Sequence, residues 1–346
     1  MKALVYYGPG KRAWEDVRDP VVNDPEDVVV QVDAFTICGT DLHILRGDVP
    51  EVEPGRVLGH EAVGTVTSVG AGVRSVQSGD RVLMSCISAC GRCRFCREGR
   101  YGQCQGGGGW VLGHLIDGVQ AESVRIPYAD GSVHALPTGV SDEAALMLAD
   151  ILPTSYEVGA VNGGVRPGDT VVIVGAGPIG LAAVMSAGLY SPLRTVVVDP
   201  VESRRAAATA FGADRVLSPD DDVAGVVREL TGGLGADVAI EAVGIPATFD
   251  MAVGLVRPGG RVANVGVHGK PTTLHLEDLW IKDVTITTGL VDTHSTPMLL
   301  AMLQAGRIDI GRMVTHRFGF DEVPEAYDLF ADPVASGALK VAVLRG

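Results

Sequence analysis

Apolar and polar residues alternate through the N-terminal part of the chain. Val28, Val30 and Val32 recur at every second position, and Gly64 to Val82 sets valines at strand spacing between Gly-Asp turns. A period of two sends successive side chains to opposite faces of a strand, so this region predicts sheet with a buried face. Met1 to Tyr6 reads as a first strand rather than as a leader with a cleavage site. Helical patterning is sparse before residue 141, apart from a helix starting near Gly39-Thr40-Asp41.

The rhythm changes near residue 150, with helical patterning from Ser141. A helical stretch, Asp142-Glu143-Ala144-Ala145-Leu146, leads to a turn at Pro167-Gly168-Asp169. Strands are then predicted at 170–174, 195–198, 215–217, 237–240, 261–265 and 284–287, with a helix over 181–189 and helix-compatible stretches between several others. Apolar strands alternating with helices predict an α/β fold, a doubly wound parallel sheet covered on both faces. The alternation fades from about residue 293, and the tail is expected to return to the first domain. The expected domains are therefore 1–150 with 293–346, and 151–292. No internal repeat is visible, and Gly106 to Gly109 is the only low-complexity patch.

Bulk composition narrows the picture. A chain of 346 residues, 46% hydrophobic and 20% charged, suits two globular domains, and its 46 glycines suit strands joined by tight turns better than a helical bundle. A net charge of −14 repels nucleic acid and anionic membrane. No uncharged apolar run reaches the roughly eighteen residues of a membrane span. A cytoplasmic setting is expected, where the six cysteines read as thiolates for metal rather than as disulfides.

Candidate chemistry begins with Gly175-Ala176-Gly177-Pro178-Ile179-Gly180, set between an apolar strand and a helix. In that context Gly175 permits a tight turn, Gly177 lets the backbone approach a pyrophosphate, and Gly180 lets helix and strand pack closely. The helix N-terminus then offers unpaired N–H groups and the positive end of its dipole to phosphate. Asp199 ends the next strand, nineteen residues after Gly180. A carboxylate there accepts from ribose hydroxyls and repels a 2′-phosphate, which favours NAD over NADP; the alternative is a turn residue before Pro200. Arg204 is either a second ribose contact or a solvated surface residue.

Cys90, Cys93, Cys96 and Cys104 form a C-x2-C-x2-C-x7-C run. Four thiolates so spaced fit a closed, structural zinc; the competing iron–sulfur reading expects a shorter last gap followed by proline. Arg92, Arg94, Arg97 and Arg100 decorate the same loop, as a subunit contact, a nucleic-acid patch or simply a solvated surface. Elsewhere Cys38 ends an apolar strand, and His60 and Asp150 complete a thiolate, imidazole and carboxylate. Together they can hold a zinc with a fourth position open, with Glu61 beside the metal or on it.

These residues resemble the zinc-containing alcohol dehydrogenases of the medium-chain dehydrogenase/reductase superfamily. The resemblance is carried by Cys38-Gly39-Thr40-Asp41-Leu42-His43, by Gly59-His60-Glu61 through Gly70, by the four-cysteine lobe, and by the glycine motif with Asp199. It spans essentially the whole chain. It implies a GroES-like catalytic domain, a Rossmann cofactor domain, and a homodimer or homotetramer. It further implies Cys38, His60 and Asp150 as catalytic zinc ligands with Glu61 able to join them, Thr40 as the hydroxyl on the substrate oxygen, and His43 as the outer end of a proton relay. Lys340 resembles the basic residue at the cofactor pyrophosphate, and Val243, Gly266 and Val267 fall on the cofactor side.

The activity implied is reversible hydride transfer between an alcohol and NAD, with NAD expected at a cleft between the domains. Trp110 is expected to wall the substrate pocket, with Cys86 near the zinc and Leu290 and Val291 adding apolar surface; Trp110 and Cys86 equally suit a core. An apolar wall favours small or medium hydrophobic alcohols. The alternatives are a polyol or amino-alcohol dehydrogenase on the same scaffold, a zinc-free reductase of the superfamily, and a zinc-ribbon protein that binds nucleic acid through the arginine lobe.

Overall fold

The strand Val28–Thr36 is the spine of one unit. Val28, Val29, Val30, Val32, Ala34 and Phe35 are all buried, because both faces of this strand are covered. It pairs antiparallel with Ala62–Val69, Ser123–Ile126 and the C-terminal strand Lys340–Leu344. Arg81–Met84 and Val133–Ala135 extend the sheet on one side and Val314–Gly319 on the other. A three-stranded sheet of Arg12–Asp16, Lys2–Tyr6 and Arg56–Val57 belongs to the same unit. The core includes Leu4, Val30, Phe35, Ile37, Leu58, Met84 and Tyr327, each large apolar side chain contributing roughly 1.5–3 kcal/mol of burial.

Register sets what meets at the edge of this sheet. Phe35 lies opposite Ala62, and Thr36 opposite Ala342. The residues just past Phe35, just before Ala62 and at the start of the last strand therefore emerge together. Those residues are Cys38, His60, Glu61 and Lys340.

The computed structural model describes residues 1–346, in two units: Met1–Pro153 with Val291–Gly346, and Thr154–Leu290. The second unit is built on a six-stranded, wholly parallel sheet. Its order is Arg215–Leu217, Arg194–Val198, Thr170–Val174, Ala236–Glu241, Val256–Asn264, Thr285–Thr288. Thr170–Val174 is buried throughout, as a central strand between two helical layers must be. The order reverses direction between Thr170–Val174 and Ala236–Glu241, and in such sheets ligands bind outside the strand ends at that switch. The strand expected at 261–265 begins instead at Val256, where Val256 pairs with Ala236 ahead of an irregularity around Pro258 and two glycines.

The helical run Asp142–Val161 is long and apolar enough in composition to cross a membrane. Its most apolar window is 72% buried inside the protein, so it serves as a core helix.

Candidate active site

Cys38 caps the helix Gly39–Arg46 in extended conformation, and its N–H donates to Asp41 Oδ2 at 2.9 Å, a reciprocal box that fixes the strand-to-helix corner. At this corner the ligand atoms of Cys38, His60, Glu61 and Asp150 lie within 4.8 Å of one another. Asp150 Oδ2 is 3.4 Å from His60 Nε2 and 4.0 Å from Cys38 Sγ. Tetrahedral zinc, with bonds of about 2.0–2.3 Å, sets neighbouring donors about 3.3–3.8 Å apart, so His60 and Asp150 stand at that spacing and Cys38 and Asp150 a few tenths of an ångström beyond it.

The electrostatics agree. Burial opposes a charge on His60, yet hydrogen bonds to Asp150 and Cys38 outweigh it and hold the imidazole pKa well above the usual value. The donor set thus draws positive charge inward. Glu61 Oε1 is buried without a hydrogen-bond partner, a further unused acceptor beside the same point.

Thr40, in the first turn of the helix, places Oγ1 3.6 Å from Cys38 Sγ. His43, one turn further, bonds Asp48 through Nδ1 at 2.9 Å, its side chain one-quarter exposed. The Trp110 ring meets His60 edge-on, with centroids 6.2 Å apart, and stacks on His114 at 4.2 Å. Cys86 is buried, and its N–H donates to the carbonyl of Ala149, next to Asp150. The Trp110 ring thus lies against a donor residue, and the Cys86 backbone is tied to the residue preceding Asp150. Val291 is buried and Leu290 is 44% exposed.

Lys340 is buried beside Glu61. Its ammonium bonds Glu61 Oε2 at 2.6 Å and the Ile37 carbonyl at 3.0 Å, and the residue has no exposed surface. A buried carboxylate needs a cation, and Lys340 supplies it to Glu61.

In the lobe, Cys90, Cys93, Cys96 and Cys104 also hold their sulfurs within 4.8 Å of one another. Backbone N–H groups of Cys96 and Gln105 lower the Cys93 thiol to about 6. Burial pushes Cys104 up, but N–H groups of Cys90 and Gly106 outweigh it and bring the thiol below its usual value. Burial raises Cys96 to about 12. Preformed N–H donors to sulfur suit a thiolate metal site. The glycine patch has its reason here: a Cβ on Gly106 would sit 2.5 Å from Cys90 Sγ, and one on Gly108 would sit 2.2 Å from the Ser88 carbonyl. Three of the four arginines face carboxylates: Arg92 meets Glu26 at 2.7 Å, Arg94 meets Glu98 at 2.9 Å, and Arg100 lies 4.0 Å from Glu98.

In the second unit, Gly175 has φ +102°, and Gly180 packs so closely that a Cβ would lie 1.9 Å from the Gly175 carbonyl. Gly177 caps the helix Pro178–Gly188 and faces open space, with Ile179 in its first turn. Asp199 accepts from Ala176 N–H at 2.7 Å and Val201 N–H at 2.8 Å, so it also braces the glycine turn. Arg204 is half-buried on the helix Glu202–Ala210. Val243 and Val267 are 44% and 60% exposed, and Gly266 packs against Gly244. Glu241, fully buried, accepts from Val243 and Gly244 N–H and from Thr248 Oγ1, which fixes the loop carrying Val243.

Comparison with known proteins decides the family. Residues 24–138 match the alcohol dehydrogenase GroES-like domain and residues 178–305 match the zinc-binding dehydrogenase domain. An alcohol dehydrogenase of Cupriavidus necator is 37% identical, over 99% of this chain and 98% of its own length. The chain belongs to the zinc-containing alcohol dehydrogenases of the medium-chain dehydrogenase/reductase superfamily.

Solved structures agree. The zinc-dependent alcohol dehydrogenase 2 from Streptococcus pneumonia shares 45% identity with a TM-score of 0.96, covering 100% of this chain and 98% of that one. The alcohol dehydrogenase TADH from Thermus sp. ATN1 shares 36% identity with a TM-score of 0.92 over the full length of both chains. The enzyme is an oxidoreductase of alcohols on a GroES-like plus Rossmann scaffold. Sequence reasoning left three buried residues beside the donor set without a role: Asp41, Gln120 and Tyr327. The one local signal was Asp41 three positions after Cys38, the spacing of a capping box.

Proposed function

We propose that the enzyme oxidises small or medium apolar alcohols with NAD, reversibly, at a zinc held by Cys38, His60 and Asp150, with Glu61 able to join them. The observation that carries this is the convergence of those four donors within 4.8 Å, with the Thr40 hydroxyl 3.6 Å from the thiol. When bound, zinc supplies a Lewis acid that lowers the pKa of an alcohol and favours negative charge on its oxygen, while NAD supplies the hydride acceptor. Thr40 Oγ accepts the alcohol proton as it gives up its own hydroxyl proton, so the hydroxyl is restored and one proton moves outward. His43, with Asp48 holding its Nδ1, passes that proton toward water. Trp110 and Cys86 wall the substrate side with apolar surface, which favours hydrocarbon groups over polyols.

The cofactor side rests on the Gly175 to Gly180 turn for the pyrophosphate and on Asp199 for the ribose. Asp199 keeps acceptor capacity beyond its two backbone bonds. The zinc lobe is structural. The edge strand Thr285–Thr288 and exposed Leu276, Trp280 and Ile281 support a homo-oligomer. Six cysteines, none of them in a disulfide and four of them in the lobe, support a reducing, cytoplasmic setting.

The test is metal analysis combined with a panel of alcohols and carbonyls offered with NAD and NADP. Two zinc ions per chain, and turnover of apolar alcohols that falls with loss of one zinc in Cys38→Ser, are expected. Full turnover with zinc in the lobe alone overturns the reading.

A further inference from the structure

Asp41, Gln120 and Tyr327 are all within 1% of complete burial, and they form a continuous polar chain through an otherwise apolar core. Asp41 Oδ2 accepts from Cys38 N–H at 2.9 Å and from Gln120 Nε2 at 3.0 Å. The Gln120 amide also lies 3.4 Å from the Thr36 carbonyl, and its Oε1 accepts from the Tyr327 hydroxyl at 2.7 Å. Tyr327 sits on the helix Val323–Ala331, with the Arg12 guanidinium 4.9 Å over its ring.

The chemistry admits one arrangement. A carboxylate and a carbonyl only accept, so Gln120 must turn its NH2 toward Asp41 and Thr36, and only a donor can then meet Oε1. Burial holds the Tyr327 phenol pKa well above its usual value, so it stays a donor. Gln120 also bears directly on the backbone of Gly59, where an added Cβ would lie 2.4 Å from Gln120 Cγ. Gly59 immediately precedes His60. At the far end, Asp41 Oδ1 and His60 Nδ1 are 3.8 Å apart, both buried and both without a hydrogen bond. A shift of about 1 Å brings them to bonding distance.

We infer that Tyr327 and Gln120 are positioning residues for the catalytic zinc: they lock Asp41, which orients the ligands Cys38 and His60. The inference rests on the zinc reading above. An outer carboxylate that fixes a ligand imidazole commonly carries a 10–100-fold share of metal affinity. Here that carboxylate is itself held by an amide whose orientation depends on a helix near the C-terminus. Without the Tyr327 hydroxyl, Gln120 Oε1 is left unpaired and the amide is free to turn. Asp41 then loses a donor.

The test uses the full-length, zinc-loaded enzyme and the variants Tyr327→Phe, Gln120→Met and the two combined. Each is incubated with EDTA and iodoacetamide, and alkylated cysteines are mapped by mass spectrometry. The lobe cysteines serve as an internal control. Cys38 is expected to be alkylated about tenfold faster in Tyr327→Phe than in the parent, with Cys90, Cys93, Cys96 and Cys104 protected at the parental rate. Residues acting through one chain are not additive, so the double variant is expected to match Gln120→Met alone.

Parental protection of Cys38 in folded Tyr327→Phe overturns the inference. So does equal acceleration at Cys38 and in the lobe, which reports general loosening. If Gln120→Met does not fold, Tyr327→Phe decides alone, since it removes a single oxygen. A parent that holds zinc only in its lobe overturns the zinc reading itself, whereas two parental zincs with unchanged variants overturn this inference alone.

Discussion

Glu61 and Lys340 face each other at 2.6 Å with both side chains only 1% exposed. Burial raises the Glu61 carboxyl pKa, and Lys340 is the largest influence opposing that rise. Removing one member of such a pair strands the other. Lys340→Met, which keeps the apolar stem, is expected to lower the unfolding free energy by about 3–5 kcal/mol, and Glu61→Gln added to it should restore much of that loss. Equilibrium denaturation of zinc-loaded protein measures both. A Lys340→Met loss below about 1 kcal/mol shows that Glu61 does not depend on this lysine for charge compensation.

Thr40 and His43 lie on one face of the helix that starts at Cys38, a spacing of three that stacks side chains along a helix. Thr40→Ala is expected to reduce kcat by about 100-fold or more, as loss of a proton-transfer group does, with both zincs retained and Thr40→Ser largely active. His43→Ala should slow turnover most near neutral pH and recover partly in concentrated imidazole buffer. Stopped-flow detection of NADH with parallel metal analysis separates these outcomes from loss of the site. Unchanged turnover in Thr40→Ala removes it from the relay.

Short-range features were legible in the sequence. The glycine turn, the lobe spacing and the strand–helix alternation each lie within a few dozen residues, and local sterics or ligand spacing dictate them. The donor types at Cys38, His60 and Asp150 could also be read, but their convergence depends on the register that sets Phe35 opposite Ala62. The partners of Lys340 and Gln120 were not legible. Lys340 meets Glu61 across 279 positions, and Gln120 meets Tyr327 across 207, so only the folded sheet brings them together. An isolated basic residue in a sequence carries no sign of a buried carboxylate partner.

Gly177 and Gly180 differ in the room a side chain would find. A methyl on Gly177 meets no protein atom within 4 Å, while one on Gly180 meets the Gly175 carbonyl at 1.9 Å. Gly177→Ala is therefore expected to keep the parental Tm and weaken NADH binding, by about tenfold or more if the backbone there approaches the pyrophosphate. Gly180→Ala is expected to lower Tm as well, because the turn and helix must move apart. NADH fluorescence titration with thermal unfolding checks both, and unaltered NADH affinity in Gly177→Ala would place the phosphates elsewhere.

Asp199 offers a test of cofactor choice that also has a structural side. Its carboxylate accepts from Ala176 and Val201 N–H groups, so Asp199→Gly loosens the glycine turn while removing the charge proposed to repel a 2′-phosphate. NAD use should fall, and the ratio of kcat/KM for NADP over NAD should rise. Steady-state kinetics with both cofactors measures the ratio. A fall in both without a change in ratio assigns Asp199 to the turn alone.

His134 makes stability depend on pH in a predictable direction. Burial lowers its pKa to about 4 in the folded protein, against about 6.5 in an unfolded chain. The folded state therefore binds fewer protons than the unfolded state between these values, and stability rises with pH across that window. The contribution is complete above about pH 6.5 and is lost progressively as pH falls toward 4, an effect of up to roughly 3 kcal/mol. His134→Gln, which cannot titrate, is expected to lose less stability than the parent between pH 6.5 and 4.5. Urea denaturation of both proteins at matched pH values gives the difference, and the comparison cancels the acid sensitivity of the zinc sites that both share. Parallel curves for the two proteins show that His134 does not bring a proton into the balance.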